Sequence, residues 1–123
     1  MGRSKDGSGR RAPRIAIRLE GELGSQTARE IEVVDLSETG CLVQCPARLK
    51  HGAILDLDVR LGVEHIRTKV RVAEAFVDGA ASCSPVRPYL AGLEFVGLPA
   101  QDHVRLVRFL DDARRRRAHP PAH

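Results

Sequence analysis

Arg10, Arg11 and Arg14, together with the run Asp35-Leu36-Ser37-Glu38-Thr39-Gly40, carry side chains suited to holding a nucleotide rather than transforming one. A guanidinium is planar and permanently charged. It grips a phosphate, or the O6/N7 edge of guanine, with two parallel hydrogen bonds. On an extended chain alternate residues face the same way, so Arg10 and Arg14 project to one side and Arg11 to the other. Asp35 is an acceptor for guanine N1–H and N2–H, the edge complementary to the one the arginines read. Each segment also has an ordinary use. The first serves equally as a solvated basic tail; in the second, Asp35 and Ser37 cap a turn, and Gly40 is free to take a positive φ where a hairpin closes. Their joint placement favours a site: the arginines precede the first strand-like run and the Asp-Ser-Gly turn joins the second and third. In an antiparallel sheet those places lie at the same end, within reach of one ligand.

Other residues capable of chemistry do not assemble into a pattern. His51, His65, His103, His119 and His123 are scattered, with no i,i+4 pair on a helix-like segment. Cys41 and Cys45 lie four apart on one face of a strand and read as packing; with Cys83 they are odd in number and lack zinc spacing. Asp56 and Asp58 alternate with leucines, as solvent-facing strand positions do. The chain is therefore expected to be neither an enzyme nor a metal protein.

Charge narrows the partner. The net charge is +4 over 123 residues. Basic residues gather at the two ends: Arg3, Lys5, Arg10, Arg11, Arg14 and Arg18 at one, and Arg114 to Arg117 at the other. The body between them is mildly acidic. A duplex-binding protein spreads its cations over a face; local clusters suit a small anion better, so nucleic acid is disfavoured as a partner. No apolar run approaches the ~18 residues of a membrane span. The first residues, Met1 to Asp6, carry no apolar stretch of the secretory kind, and the cysteine usage fits a reduced, cytoplasmic setting without membrane insertion.

The elements that must position these residues follow from periodicity. Residues 1–13 are rich in Gly, Ser and charge and form a flexible segment that carries the arginines. Ile15, Ile17 and Leu19 then alternate with polar residues, and Gly21 to Ala28 read as a loop. Glu30 to Asp35, Cys41 to Cys45, Ile54 to Leu61, Glu64 to Val77 and Tyr89 to Val96 supply five further strands. After Pro99 the period becomes helical, with Val104, Leu106, Val107 and Leu110 as an apolar stripe and Phe109 beside it. Arg114 to Arg117 suit the helix C-terminus and trail into solvent. The expected fold is mainly β: a six-stranded antiparallel β-barrel with a C-terminal α-helix, spanning 14–117, followed by a disordered tail at 118–123.

On these motifs the chain resembles the PilZ domain family of bacterial cyclic di-GMP receptors. Its marks are an RxxxR segment before the first strand, here Arg10-Arg11-Ala12-Pro13-Arg14, and a [D/N]xSxxG turn after the second, here Asp35 to Gly40. The strand Tyr89 to Val96, followed by a helix, also looks like the family's last strand and helix. The resemblance covers roughly residues 9 to 112. It implies that Arg10 and Arg14 hold the phosphates and guanine Hoogsteen edges of cyclic di-GMP, that Arg11 stacks or assists, and that Asp35, Ser37 and Gly40 receive a base. It further implies a receptor that orders its arginine segment on binding and signals through a downstream protein. The competing reading is a nucleic-acid-binding module that uses the arginine-rich termini.

Overall fold

A computed structural model describes residues 13–77 and 86–118. Strands β1 (Ile15–Gly24), β2 (Arg29–Leu36), β3 (Gly40–Cys45), β4 (Ile54–Leu61), β5 (Glu64–Val77) and β6 (Tyr89–Val96) precede one helix, α1 (Ala100–Ala118). The strands close into an antiparallel barrel in the order β1-β2-β3-β6-β5-β4, with β4 returning to β1. Closure follows from the alternation in the sequence: each strand has one apolar face, and a curled sheet hides all of those faces in one interior. Ile31, Val33, Val43, Leu57, Val59, Ile66, Val70, Val72, Ala91 and Leu93 fill it. The six strands and the helix are those that the periodicity predicts.

Two details depart from it. Gly21 to Gly24 are strand, not loop, because β1 pairs there with β4 as well as β2, through Gly21↔Val59 to Gly24↔Asp56. The approach is close: a Cβ on Gly21 would stand 2.6 Å from the Asp58 carbonyl oxygen, so only glycine fits. On α1 the buried face is Leu106, Leu110 and Ala113, which pack against the barrel core, whereas Val104 is 52% exposed. Val104 falls about 160° around the helix from Leu106 and about 120° from Leu110, too far to share their face.

A register shift decides what β2 presents. Ile31 and Val33 face inward, and strict alternation would send Asp35 inward after them. Between Val33 and Asp35 the register slips against β3, and between Ala16 and Leu19 the β1–β2 register slips too. Leu36, three residues beyond Val33, takes the next inward place, and Asp35 is left on the outside. Bulges of this kind re-aim side chains next to sites. Below it, Ile15, Leu36, Cys41, Leu93 and Val72 form one paired row of buried residues. Among the described residues, no helix is long and apolar enough to cross a membrane.

Candidate functional site

The turn between β2 and β3 is held from within. The Ser37 N–H donates to the Gly40 carbonyl at 2.9 Å, and the Ser37 hydroxyl donates to the same oxygen at 3.3 Å. That hydroxyl also accepts from the Thr39 N–H at 3.2 Å. The Thr39 carbonyl in turn accepts from the Phe95 N–H at 2.9 Å, which ties the turn to β6. Ser37 is 1% exposed, so its side chain builds the turn. Gly40 does not adopt the positive φ expected of it; among the described residues that conformation belongs to Gly52, Gly62 and Gly97. Its requirement is steric. A Cβ at position 40 would sit 2.1 Å from the Leu93 carbonyl oxygen. The missing side chain makes room for β6.

Asp35 stands at the rim of this turn and meets Arg14. Arg14 Nη1 donates to Asp35 Oδ1 at 3.0 Å, with the two side chains 48% and 25% exposed. The register explains the meeting: Ile15 pairs with Leu36 and Ala16 with Asp35, so the residue just ahead of β1 arrives beside the end of β2. The structure therefore brings Arg14, Asp35, Ser37 and Gly40 to one end of the barrel. Arg10 and Arg11 lie outside the described residues. Beneath the pair, the Cys41 thiol is pushed up to about 12 by burial; the Arg14 charge opposes this and the Asp35 charge adds to it. Cys41 and Cys45 are free and buried. Among the described residues, no cluster of His, Cys, Asp and Glu could hold a metal ion.

Sequence reasoning missed a third contributor. Arg114 Nη2 donates to the Pro13 carbonyl at 3.5 Å, and Arg117 Nη2 donates to the Ala16 carbonyl. These arginines do not simply trail into solvent. At the other end of α1, His103 Nε2 lies 3.4 Å from Glu38 Oε1 in the turn. Nothing local signals these contacts; they need the helix laid across the barrel opening.

A cleft of about 540 Å³ lies elsewhere, between the β1–β2 loop and the start of α1. Four of its charged side chains are already matched: Lys69 bonds Asp56 at 2.6 Å, and Asp58 accepts from Arg67 at 2.9 Å. Burial pushes the Asp58 carboxyl up, but hydrogen bonds from His65 and Arg67 and their charges outweigh it and hold the group below its ordinary range. Such satisfied pairs are what a solvated strand face requires.

The model of the PilZ domain family matches residues 8–112, and the chain belongs to that family. Its barrel and helix are similar to several solved structures. One is the Bacillus subtilis inhibitor of motility MotI/DgrA, at 20% identity and a TM-score of 0.74 over 91% of this chain and 53% of that one. MrkH of K. pneumonia, in its complex with c-di-GMP, shares 21% identity with a TM-score of 0.75, over 91% of this chain and 55% of its own. The PilZ domain of Escherichia coli YcgR with c-di-GMP shares 15% identity with a TM-score of 0.68, over 91% and 98%. This chain thus spans about half the length of MotI and MrkH. At these identities the likeness shows the fold. No curated protein matches the sequence.

Proposed function

We propose that this protein is a receptor for cyclic di-GMP that relays the ligand's presence to a protein partner, in the cytoplasm and without a catalytic step. MrkH and the YcgR PilZ domain, which share its fold, are each described with c-di-GMP bound. The single observation that carries the reading to these residues is the meeting of Arg14 and Asp35 at 3.0 Å. A cation for phosphate and an acceptor for guanine stand side by side, on the outside of the barrel. Arg10 and Arg14 contact the phosphates and Hoogsteen edges, with Arg11 assisting, and Asp35 accepts from the Watson–Crick edge. Ser37 and Gly40 shape the turn that presents Asp35.

In this reading residues 1–13 are a flexible arm, 14–117 the body and 118–123 a tail. Closing the arm over the ligand costs ~2–5 kcal/mol of ordering and creates a new surface for the partner. The outer strand faces do not favour a duplex instead. Most of their cations are engaged with neighbouring carboxylates, as in Lys69–Asp56, Arg67–Asp58, Arg71–Glu94 and Arg18–Glu32. Isothermal titration of c-di-GMP into the full chain tests the proposal. The wild type binds, and Arg14→Ala and Asp35→Ala each weaken binding roughly 10- to 100-fold, the size of a lost charge-assisted hydrogen bond. Equal affinities for all three proteins would contradict it.

A further inference from the structure

The outward row that holds Asp35 runs on across three more strands. Asp35 pairs with Leu42, Leu42 with Gly92, and Gly92 with Glu74, so one strip of the outer face crosses β2, β3, β6 and β5. Both of its carboxylates owe their aim to a bulge. The slip between Val33 and Asp35 turns out the first, and a slip between Val72 and Glu74 turns out the second. Val72 is fully buried, and strict alternation would send Glu74 inward after it; Glu74 is exposed instead. Bulges that re-aim side chains gather beside sites, and two of them frame this strip. Between the carboxylates it is nearly bare. Leu42 is half-buried and offers one aliphatic side chain, and Gly92 offers none. The fold does not ask for glycine at position 92. Its φ is not positive, and a Cβ there would meet nothing nearer than the Glu74 side chain at 3.7 Å, an ordinary contact. At Gly21 and Gly40, by contrast, a Cβ would stand 2.6 and 2.1 Å from a strand carbonyl. Glycine inside a strand weakens it, so what Gly92 contributes is open backbone that a planar ring can approach closely. Glu74 is likewise unused by the fold. Nearby, Glu94 is paired with Arg71 and Glu32 with Arg18, but no hydrogen bond or ion pair holds Glu74 among the described residues.

We propose that Glu74 is a second specificity-determining carboxylate of the dinucleotide site, and that Leu42 and Gly92 are the floor between it and Asp35. The inference rests on the cyclic di-GMP reading. Neighbouring strands stand about 4.8 Å apart, so about 14 Å of sheet separates Asp35 from Glu74, room for two bases rather than one. A carboxylate repels the phosphates of such a ligand and is tolerable only where it meets donors. The Watson–Crick edge of guanine supplies two, N1–H and N2–H, directed away from the phosphates. Adenine presents a lone pair at N1 in the same place, and a carboxylate repels it. Glu74 therefore accepts from one guanine as Asp35 accepts from the other, and the pair selects guanine over adenine. Leu42 packs against a base face, and Gly92 lets the ring lie flat on the strand.

The test is isothermal titration of c-di-GMP and of cyclic di-AMP into the full chain as wild type, Glu74→Gln and Gly92→Val, each with its thermal melt. Glu74→Gln loses no internal partner, so its melt stays with the wild type. It is expected to bind c-di-GMP roughly tenfold more weakly, the size of a charge-assisted hydrogen bond. Its hold on cyclic di-AMP should not fall, because the new amide can donate to adenine N1. Gly92→Val covers the floor and is expected to lose roughly tenfold or more in c-di-GMP affinity, the size of a steric misfit. Its melt should not drop, since valine suits a strand better than glycine. Should Gly92→Val fail to fold, Gly92→Ala, whose Cβ has room, decides the same point with a loss of roughly threefold. Unchanged c-di-GMP affinity in Glu74→Gln overturns the role of Glu74, and unchanged affinity in the glycine variant overturns the floor. Equal losses for the two dinucleotides in Glu74→Gln also overturn the proposal, because Glu74 would then not read the base edge. A wild type that binds neither overturns the ligand reading first and this role with it, a result distinct from the others.

Discussion

In the turn at 35–40, Ser37 is buried, Gly40 is packed against the Leu93 carbonyl, and main-chain hydrogen bonds close the turn and tie it to β6. In the lead-in at 13–14, an exposed guanidinium pairs with Asp35, and two helix arginines reach the backbone from the surface. The first region belongs to the barrel core and cannot move without disturbing it. The second is held by contacts that water and salt weaken, each worth ~0–1 kcal/mol. A site with one rigid half and one yielding half has an evident use. Under the proposed function, the rigid half offers a fixed acceptor, and the yielding half exchanges its internal ion pair for a ligand at low cost.

The rigid half is most sensitive at Gly40. Gly40→Ala forces a Cβ against the Leu93 carbonyl and is expected to destabilise the fold by ~3 kcal/mol, read as a lower urea midpoint at unchanged slope. An unaltered midpoint would show that the turn has slack. Ser37→Ala comes next, at ~1–2 kcal/mol, because it removes a buried hydroxyl that accepts from the Thr39 N–H and donates to the Gly40 carbonyl. On the yielding side, Arg14→Ala should move the unfolding midpoint by less than ~1 kcal/mol while it damages binding. A large stability loss at Arg14 would erase the distinction between the halves.

The smallest effect belongs to the matched outer face, away from both halves. Asp58 is held below its ordinary range, so its folded value is depressed relative to the unfolded chain. Its contribution is present above the usual carboxylate range and is lost as pH falls through that range and below it. Asp58→Asn should therefore be slightly less stable than wild type near neutral pH, with the gap closing in acid. Thermal melts across that range read the gap, and one that widened toward low pH would contradict the assignment.

Much of this was legible in the residues themselves. Alternation from Ile15 onward, the helical period after Pro99 and the order of the two polar motifs specify a barrel with a helix and bring Arg14 to Asp35. Three features were not. Alternation with Ile31 and Val33 points Asp35 inward, and only a bulge turns it out. Gly21 and Gly40 look like loop and turn glycines, but each is demanded by a neighbouring strand's carbonyl. Arg114 and Pro13 stand 101 positions apart, and no local pattern can report a contact between them. What escaped is tertiary in origin: register, close approach and long-range capping.

Whether one dinucleotide engages both halves at once is read most plainly by amide NMR of the 123-residue chain with and without c-di-GMP. The largest shifts are expected at 9–14 and 35–40. Shifts confined to the cleft around Asp56 and Lys69, or none at all with ligand in excess, would refute a site shared by Arg14 and Asp35.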